Sequence, residues 1–199
     1  IHHTIRPGEV TASKTSGIGE GRLQKRYAWE DAAFISNNWK ASEKLTLSYG
    51  LRLTAFSVLG EGDFYTIDKN GKVIDTTSYK KGAIVKTYVN PEPRVSASYQ
   101  LNSSSSLKAS YVRNVQNLHL LSNSTTTSPT DKWIASSNVI KPEVSDQVSI
   151  GYYKDLADRS NELTVEAYYK DMQNGIDYRT GANIYTNDAV ESQLLFGKG

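Results

Sequence analysis

The segment Leu45–Phe56 constrains the fold of this chain more than any other, because apolar and polar residues alternate along it without interruption. Leucine, tyrosine and alanine occupy the odd positions from Leu45 to Ala55, and threonine, serine, glycine and arginine occupy the even positions from Thr46 to Thr54. A period of two is typical of a β-strand with one apolar and one polar face. Strands of soluble domains are about five or six residues long, whereas a strand that crosses a bilayer obliquely needs about nine to eleven. This segment has the length of a membrane strand; a long strand of a soluble β-sandwich is the alternative.

The same alternation recurs along the chain, and short and long connections alternate strictly between the predicted strands. Strands are predicted at Tyr27–Trp39, Leu45–Leu59, Ile84–Leu101, from Leu107 onward, at Val144–Leu156 and from Leu163 to Lys170. Short turns are expected near residues 40–44, 102–106 and 157–161, and long polar loops near residues 9–26, 60–81, 119–143 and 173–189. If neighbours in sequence pair, all short turns lie at one end of the sheet and all long loops at the other.

Segregation of loops by length is typical of transmembrane β-barrels, which have short periplasmic turns and longer extracellular loops. A soluble Greek-key sandwich has no reason to show it. Five tyrosines share parity with the aliphatic residues, as members of an aromatic girdle would: Tyr49, Tyr99, Tyr111, Tyr152 and Tyr169. The predicted fold class is therefore all-β, an antiparallel meander forming part of a transmembrane β-barrel. On this interpretation an arginine should be costly at Leu51 or Ile150 and much less costly at Thr54 or Ser149.

Composition excludes several classes of protein. The 199 residues carry a net charge of +2 with the basic residues scattered, so we expect no nucleic-acid partner. The chain has no cysteine, which excludes disulfides and cysteine-based zinc sites. No run of about eighteen apolar residues predicts a transmembrane helix, and no signal peptide opens the sequence. Both ends lie in strand-like sequence, so we interpret residues 1–199 as one partial barrel domain.

Motifs for catalysis or metal binding are few. Asp68–Gly71 begins like a calcium loop, but its glycine is the fourth residue rather than the sixth and no acid stands at the twelfth. Because Asn-Gly favours a type I′ turn, a small hairpin is predicted there instead. His2 and His3 are adjacent and should point to opposite faces of a strand. We therefore expect no enzyme, no metal and no cofactor.

Six segments carry motifs that invite comparison: YGLR at Tyr49–Arg52, YVNPEPRVSASY at Tyr88–Tyr99, LKASYVRN at Leu107–Asn114, HLLSNST at His119–Thr125, NVIKPE at Asn138–Glu143 and EAYYKDM at Glu166–Met172. In order and hairpin spacing these motifs resemble TonB-dependent outer-membrane receptors of the Bacteroidetes type, over nearly the whole chain. The resemblance implies a segment of a barrel of about twenty-two strands in the bacterial outer membrane, plugged by a separate N-terminal domain. The plug and the TonB-binding box have no counterpart in this stretch.

The resemblance also implies partners: outer-membrane lipid, the receptor's own plug, the TonB complex acting through the plug, and a surface lipoprotein. Its cargo would be a small molecule, glycan or peptide too large for porins. Two alternatives stay open, a barrel that serves in docking or assembly without transport, and a soluble all-β adhesin module.

Two groups of residues are candidates for function. Charged residues at polar strand positions should face the lumen, where they meet water or the plug. These are Arg52, Glu92, Arg94, Lys108, Glu166 and Lys170. The second group collects hydrogen-bonding side chains beside a large ring where one strand runs into its long loop, and we interpret it as a ligand site. Its members are Arg113, Gln116, His119, Asn123 and Trp133. The same side chains would equally suit hydrogen bonding between loops.

Overall fold

The computed structural model describes residues 1–6, 9–10, 21–22, 24–121, 132–156, 161–182 and 189–198. Nearly all of these residues form antiparallel β-strands, and the one helical element among them is a 3-10 turn at Val190–Gln193. The strands are β1 (His2–Ile5), β2 (Glu9–Val10), β3 (Gly21–Arg22), β4 (Arg26–Lys40), β5 (Leu45–Leu59), β6 (Gly62–Ile67), β7 (Val73–Tyr79), β8 (Ile84–Asn102), β9 (Ser105–Gln116), β10 (Leu118–Leu121), β11 (Lys132–Ala135), β12 (Glu143–Asp155), β13 (Glu162–Tyr178) and β14 (Leu194–Lys198). In these segments no helix is both long and apolar enough to span a membrane.

The main sheet has eight strands in the order β1-β4-β5-β8-β9-β12-β13-β14. Each strand of this sheet runs antiparallel to its neighbours, so the chain forms a meander interrupted only by insertions between strands. The predicted strand Leu45–Leu59 coincides with β5, and most of the other predicted strands coincide with main-sheet strands to within a few residues. The exception is the last one, because β13 continues past the predicted end at Lys170 to Tyr178, into the predicted loop. The antiparallel meander and the segregation of short turns from long connections are confirmed.

The long connections have secondary structure of their own, which the sequence predicted only in one case. Two-stranded sheets form between β2 and β3, β6 and β7, and β10 and β11, and each is inserted between two main-sheet strands. The 3-10 turn occupies the connection between β13 and β14. The strands β10 and β11 have four residues each, too few for a period of two to stand out.

Because neighbouring main-sheet strands are antiparallel and short turns alternate with long connections, the four long connections lie at one end of the sheet, called here the loop end.

The β6–β7 hairpin was predicted correctly, but its turn is not type I′. Gly71 has φ +85° whereas Asn70 has no positive φ. The Asp68 carboxylate explains the difference, because its Oδ1 accepts hydrogen bonds from the backbone N–H of Asn70 at 2.9 Å and of Lys72 at 2.8 Å. A side chain that satisfies two backbone donors stabilises a longer turn in which only the glycine is left-handed.

Two prolines interrupt one ladder of the main sheet. Pairing of β8 with β5 continues through Pro93 and Pro91, opposite Leu51 and Leu53. Pairing of β8 with β9 instead ends at Arg94. Proline has no N–H and cannot donate to a neighbouring strand. The β8–β9 ladder therefore ends where its donors end, in the middle of β8.

Every main-sheet strand from β4 to β13 has one apolar and one polar face. The register aligns the apolar residues across neighbouring strands, for example Tyr49, Val95, Tyr111, Val148 and Tyr169. These side chains form the apolar face, on which Ile150 is 58% exposed and Tyr169 is 72% exposed. Exposure of so many contiguous large apolar residues requires an apolar surrounding. Trp29 and Trp39 lie on this face near the two ends of β4, where aromatic girdles are found in membrane barrels.

The opposite, polar face is covered at the loop end by the inserted hairpins. Phe56 and Val58 of β5 are buried there against Phe64 of β6 and Ala135 of β11. A second cluster joins β10 and β11 to the last connection and to β14, through residues that include Ile134, Ile140, Val190 and Leu194. The long connections thus fold back over the polar face and form a packed cap, called here the loop cap.

The loop cap changes one expectation about arginine substitutions. Thr54 is 3% exposed and donates a hydrogen bond of 2.7 Å to Glu92, so an arginine there would not be tolerated cheaply. Ser149 is the better reference, because it faces an open groove on the polar face.

We predict that Ile150→Arg lowers the free energy of unfolding of the intact protein in a bilayer by about 2–4 kcal/mol, because it places a charge on the exposed apolar face, which lipid would cover. Ser149→Arg, one residue away on the other face, should cost much less. Urea midpoints in liposomes would measure both variants. Equal losses would contradict the assignment of faces.

Candidate functional site

All six charged residues predicted to face a lumen lie on the polar face. Arg52 stands opposite Glu92, and Lys108 and Glu166 both stand opposite Gly151 from its two sides. Arg94 and Lys170 belong to one row that crosses four strands through Val112 and Gln147. The register therefore brings these charges onto one surface, as the period of two predicted.

Five of these six charged residues have a hydrogen bond, an ion pair or a cation–π contact within the sheet. Arg52 Nε donates to Thr54 Oγ1 at 3.2 Å and lies 3.7 Å from Glu92 Oε1. Glu166 accepts a hydrogen bond from the Tyr153 hydroxyl, and Lys108 Nζ lies 4.0 Å from the centroid of the same ring. Arg94 donates to Asn114, and within the described ranges neither Arg94 nor Lys170 makes an ion pair with a carboxylate. Of these six residues, Arg94 and Lys170 thus carry a positive charge that contacts neither a carboxylate nor an aromatic ring among the described residues.

A depression lined by hydroxyl groups lies among the charged residues of the polar face. Ser48, Ser96, Ser110 and Ser149 stand opposite one another in four neighbouring strands. The Oγ atoms of Ser110 and Ser149 are 2.7 Å apart. Two grooves of about 410 and 340 Å³ meet at Ser48, Ser96 and Ser110. Small side chains leave this part of the wall concave and wettable.

The structure does not gather the five predicted ligand residues into one site. Arg113 lies on the apolar face, where its Nε and Nη2 bind both oxygens of Asp146 at 2.8 Å. The Tyr111 hydroxyl donates to the same carboxylate at 2.7 Å. Gln116 is exposed and donates to the Leu118 carbonyl at 2.7 Å, and Asn123 lies outside the described residues.

His119 and Trp133 lie on opposite faces of the β10–β11 hairpin. His119 pairs with Ile134 on the face that is buried in the loop cap, whereas Trp133 pairs with Leu120 on the exposed face. His119 is 2% exposed and its Nε2 lies 3.4 Å from Ser136 Oγ. Burial lowers the pKa of His119 to about 4, so its imidazole is neutral at pH 7. Trp133 is 53% exposed and presents its ring to solvent at the loop end.

A buried polar cluster under Trp133 was not predicted. Glu191 of the 3-10 turn is 7% exposed and hydrogen bonds to Ser137. Burial raises the pKa of Glu191, and the nearby Arg26 guanidinium partly opposes that rise. With Trp133 and Gln24, Glu191 and Arg26 line a small cavity. No local motif marks this cluster, since its members come from three different long connections or their ends.

The family comparison agrees with this architecture. Residues 8–195 match the family described as TonB-dependent receptor-like β-barrel, and the chain therefore belongs to that family. A search of solved structures found similarity to the closed form of Fiu, a ferric-catecholate import receptor of Escherichia coli K12, with a TM-score of 0.47 and 18% sequence identity. That match covers 90% of this chain and 25% of Fiu, so the chain spans a quarter of that receptor's length. No curated protein matches the sequence.

The family gives a general orientation for two such faces. It is a family of Gram-negative outer-membrane receptor barrels, and in barrels of this kind the apolar face turns towards lipid and the polar face towards the lumen. The predicted fold, part of a TonB-dependent receptor barrel, is thereby confirmed.

Burial of neutral His119 predicts a pH dependence of the loop cap. Its pKa in the folded chain, about 4, lies below the ordinary value of 6.5, so the unfolded state binds more protons between these pH values. The free energy of opening the loop cap should therefore fall as pH decreases from 6.5 towards 4. Replacing His119 by glutamine should reduce this fall, and hydrogen exchange of β10 and β11 amides in the intact receptor would measure it.

His2→Gln is the matched control, because His2 is exposed on β1 and should leave the pH dependence unchanged. An equally steep fall in His119→Gln would show that His119 does not cause it.

Proposed function

We propose that this chain is part of an outer-membrane transport receptor that binds its cargo at the loop end and imports it with energy from the TonB complex. Three features support the proposal: the segregated long connections, the packed loop cap that they form, and the exposed Trp133 ring on that cap. The exposed Trp133 ring is the observation that carries the proposal, because a large ring at a surface distant from the membrane is suited to recognition rather than to stability.

The loop cap can present a binding surface because it is not a set of free loops. Tyr88 of β8 donates to the Ser137 carbonyl at 2.6 Å, and Asn138 donates to the Tyr65 carbonyl at 2.8 Å. These bonds join two of the long connections to each other and to the main sheet. The conformational entropy of these connections is therefore lost during folding, and binding of cargo does not have to order them again.

Below the cap, the polar face offers a surface for the plug and for passage of the cargo. The hydroxyl-lined depression can exchange hydrogen bonds with water or with polar groups that slide past it. The uncompensated charges of Arg94 and Lys170 need water or carboxylates, and in a plugged barrel acidic plug residues would supply the latter. The identity of the cargo stays open between a small molecule, a glycan and a peptide.

The test is uptake and binding by the intact receptor carrying Trp133→Ala. The variant should take up and bind cargo at least about tenfold less well, since buried aromatic anchors often contribute about 2 kcal/mol or more to recognition. Its thermal unfolding should barely change, because the ring is half exposed on a four-residue strand.

Trp39→Ala provides a matched control, since Trp39 is also 53% exposed but lies at the short-turn end of β4. Uptake that is unchanged in Trp133→Ala, or reduced equally in both variants, would remove the β10–β11 hairpin from the binding surface.

A further inference from the structure

Two exposed aromatic rings lie at the two ends of the hydroxyl-lined depression on the polar face. Phe34 of β4 stands opposite Arg52 and is 80% exposed. Tyr168 of β13 stands opposite Ser149 and is 73% exposed. Each ring lines one of the two grooves that meet in the depression. The polar face therefore offers apolar area at both ends of the depression, which a bound group can cover.

A row of amide and hydroxyl side chains runs between the two rings. It crosses six strands through paired positions, namely Asn38, Ser48, Ser96, Ser110, Ser149 and Tyr168. Neighbouring strands are about 4.8 Å apart, so the row is about 24 Å long. Since a hydroxyl can both donate and accept, the row can form hydrogen bonds with an extended backbone. This row and the two grooves along it are called here the wall groove.

Gly50 leaves the floor of the larger groove open. A Cβ atom at this position would lie 2.9 Å from the carbonyl oxygen of Ile35 and 3.0 Å from Ser36 Cβ. Phe34 and Arg94 line the same groove, which measures about 410 Å³. An aromatic ring and a guanidinium group thus lie beside a floor that no side chain fills.

Two positive charges lie one row from the serines, on the side of the loop end. Arg94 and Lys170 are three strand spacings apart, through Val112 and Gln147, which is about 14 Å. An extended polypeptide rises about 3.3 Å per residue, so carboxylates about four residues apart would reach both charges. Residues at that spacing point to the same side of an extended chain. The wall groove therefore fits an extended acidic segment.

The position of the wall groove favours a segment of the receptor itself over cargo. On the loop side, the loop cap covers the polar face at Phe56 and Val58. On the other side, the smaller groove extends to Thr46 and Lys108, close to the short turns before β5 and β9. Cargo from the loop end would have to pass the cap, whereas a segment from the short-turn side would not. A polypeptide also supplies carboxylates and apolar side chains on one backbone.

We propose that the wall groove binds an extended acidic segment of the receptor's own plug. The inference rests on the proposed function, because it requires the polar face to line a plugged lumen. Two carboxylates of the segment, about four residues apart, pair with Arg94 and Lys170, and apolar side chains at its ends cover Phe34 and Tyr168. The plug cannot leave the wall until these contacts break, so the wall groove regulates how readily the lumen opens.

The experiment is photo-cross-linking of the full-length receptor in outer membranes. Two variants, Phe34→benzoylphenylalanine and Tyr168→benzoylphenylalanine, retain an aromatic ring at each end of the wall groove. On irradiation both should couple to one segment that lies outside residues 1–199, and mass spectrometry should show acidic residues about four positions apart in it. Ile35→benzoylphenylalanine is the matched control, because Ile35 lies on the apolar face and should couple to lipid.

Charge reversal tests the recognition of the segment. Arg94→Glu combined with Lys170→Glu should lower the cross-linked fraction at least about tenfold, since like charges then face each other. Lys44→Glu, at an exposed position in a short turn, should leave it unchanged. Lysines in place of the two acidic residues of the captured segment should restore cross-linking in the double variant.

Four results would overturn the proposal: no coupling to polypeptide, coupling to a segment without the acidic pair, equal yields in the parent and the charge-reversed receptor, or coupling to a small molecule. The last would assign the wall groove to cargo. Loss of uptake in Trp133→Ala without the predicted cross-links would refute the wall groove and leave the proposed function standing. The cross-links with unchanged uptake in Trp133→Ala would do the reverse.

Discussion

The structure depends on one constraint, that backbone N–H and C=O groups in a bilayer must bond to one another because lipid offers no partners. Long antiparallel ladders meet this requirement across β4 to β13, and they turn each strand's alternation into two continuous surfaces. The Arg113–Asp146 pair follows the same logic at the side-chain level. On the apolar face a charge persists because its partner stands opposite it in the next strand.

The main sheet was predictable because successive side chains of a strand point to opposite faces, whatever packs against those faces. Once Leu45–Phe56 was assigned to a membrane strand, the faces of Arg52, Lys108 and Ile150 followed from parity alone. The register agrees at all three positions. Parity also explains why Arg113 was misplaced beside Trp133: as an odd-numbered residue of β9 it shares the face of Tyr111, and the strand extends three residues beyond it.

The loop cap was not predictable, because its contacts join segments that are distant in sequence. Glu191 and Arg26 are separated by most of the chain, and neither lies in a motif. Phe56 and Val58 occupy positions that alternation assigns to the polar face, yet they are buried under inserted hairpins. Periodicity reports which face a residue takes; what covers that face depends on tertiary packing. The same limit explains why Thr54 was a poor reference position.

The prolines of β8 have a mechanical consequence for this architecture. From Arg94 to the short turn at Asn102, a ladder of hydrogen bonds joins β8 to β9. On the loop side of Arg94, Pro93 and Pro91 have no N–H group to donate to a neighbouring strand. The backbone there is held by fewer bonds, so local separation costs less free energy than elsewhere in the sheet. The wall thus contains a compliant joint between the strand that carries the β6–β7 hairpin and the strand that carries the β10–β11 hairpin. The two hairpins are therefore coupled mainly through their direct contacts in the loop cap, such as the packing of Phe64 with Ala135, and less through the strands that carry them.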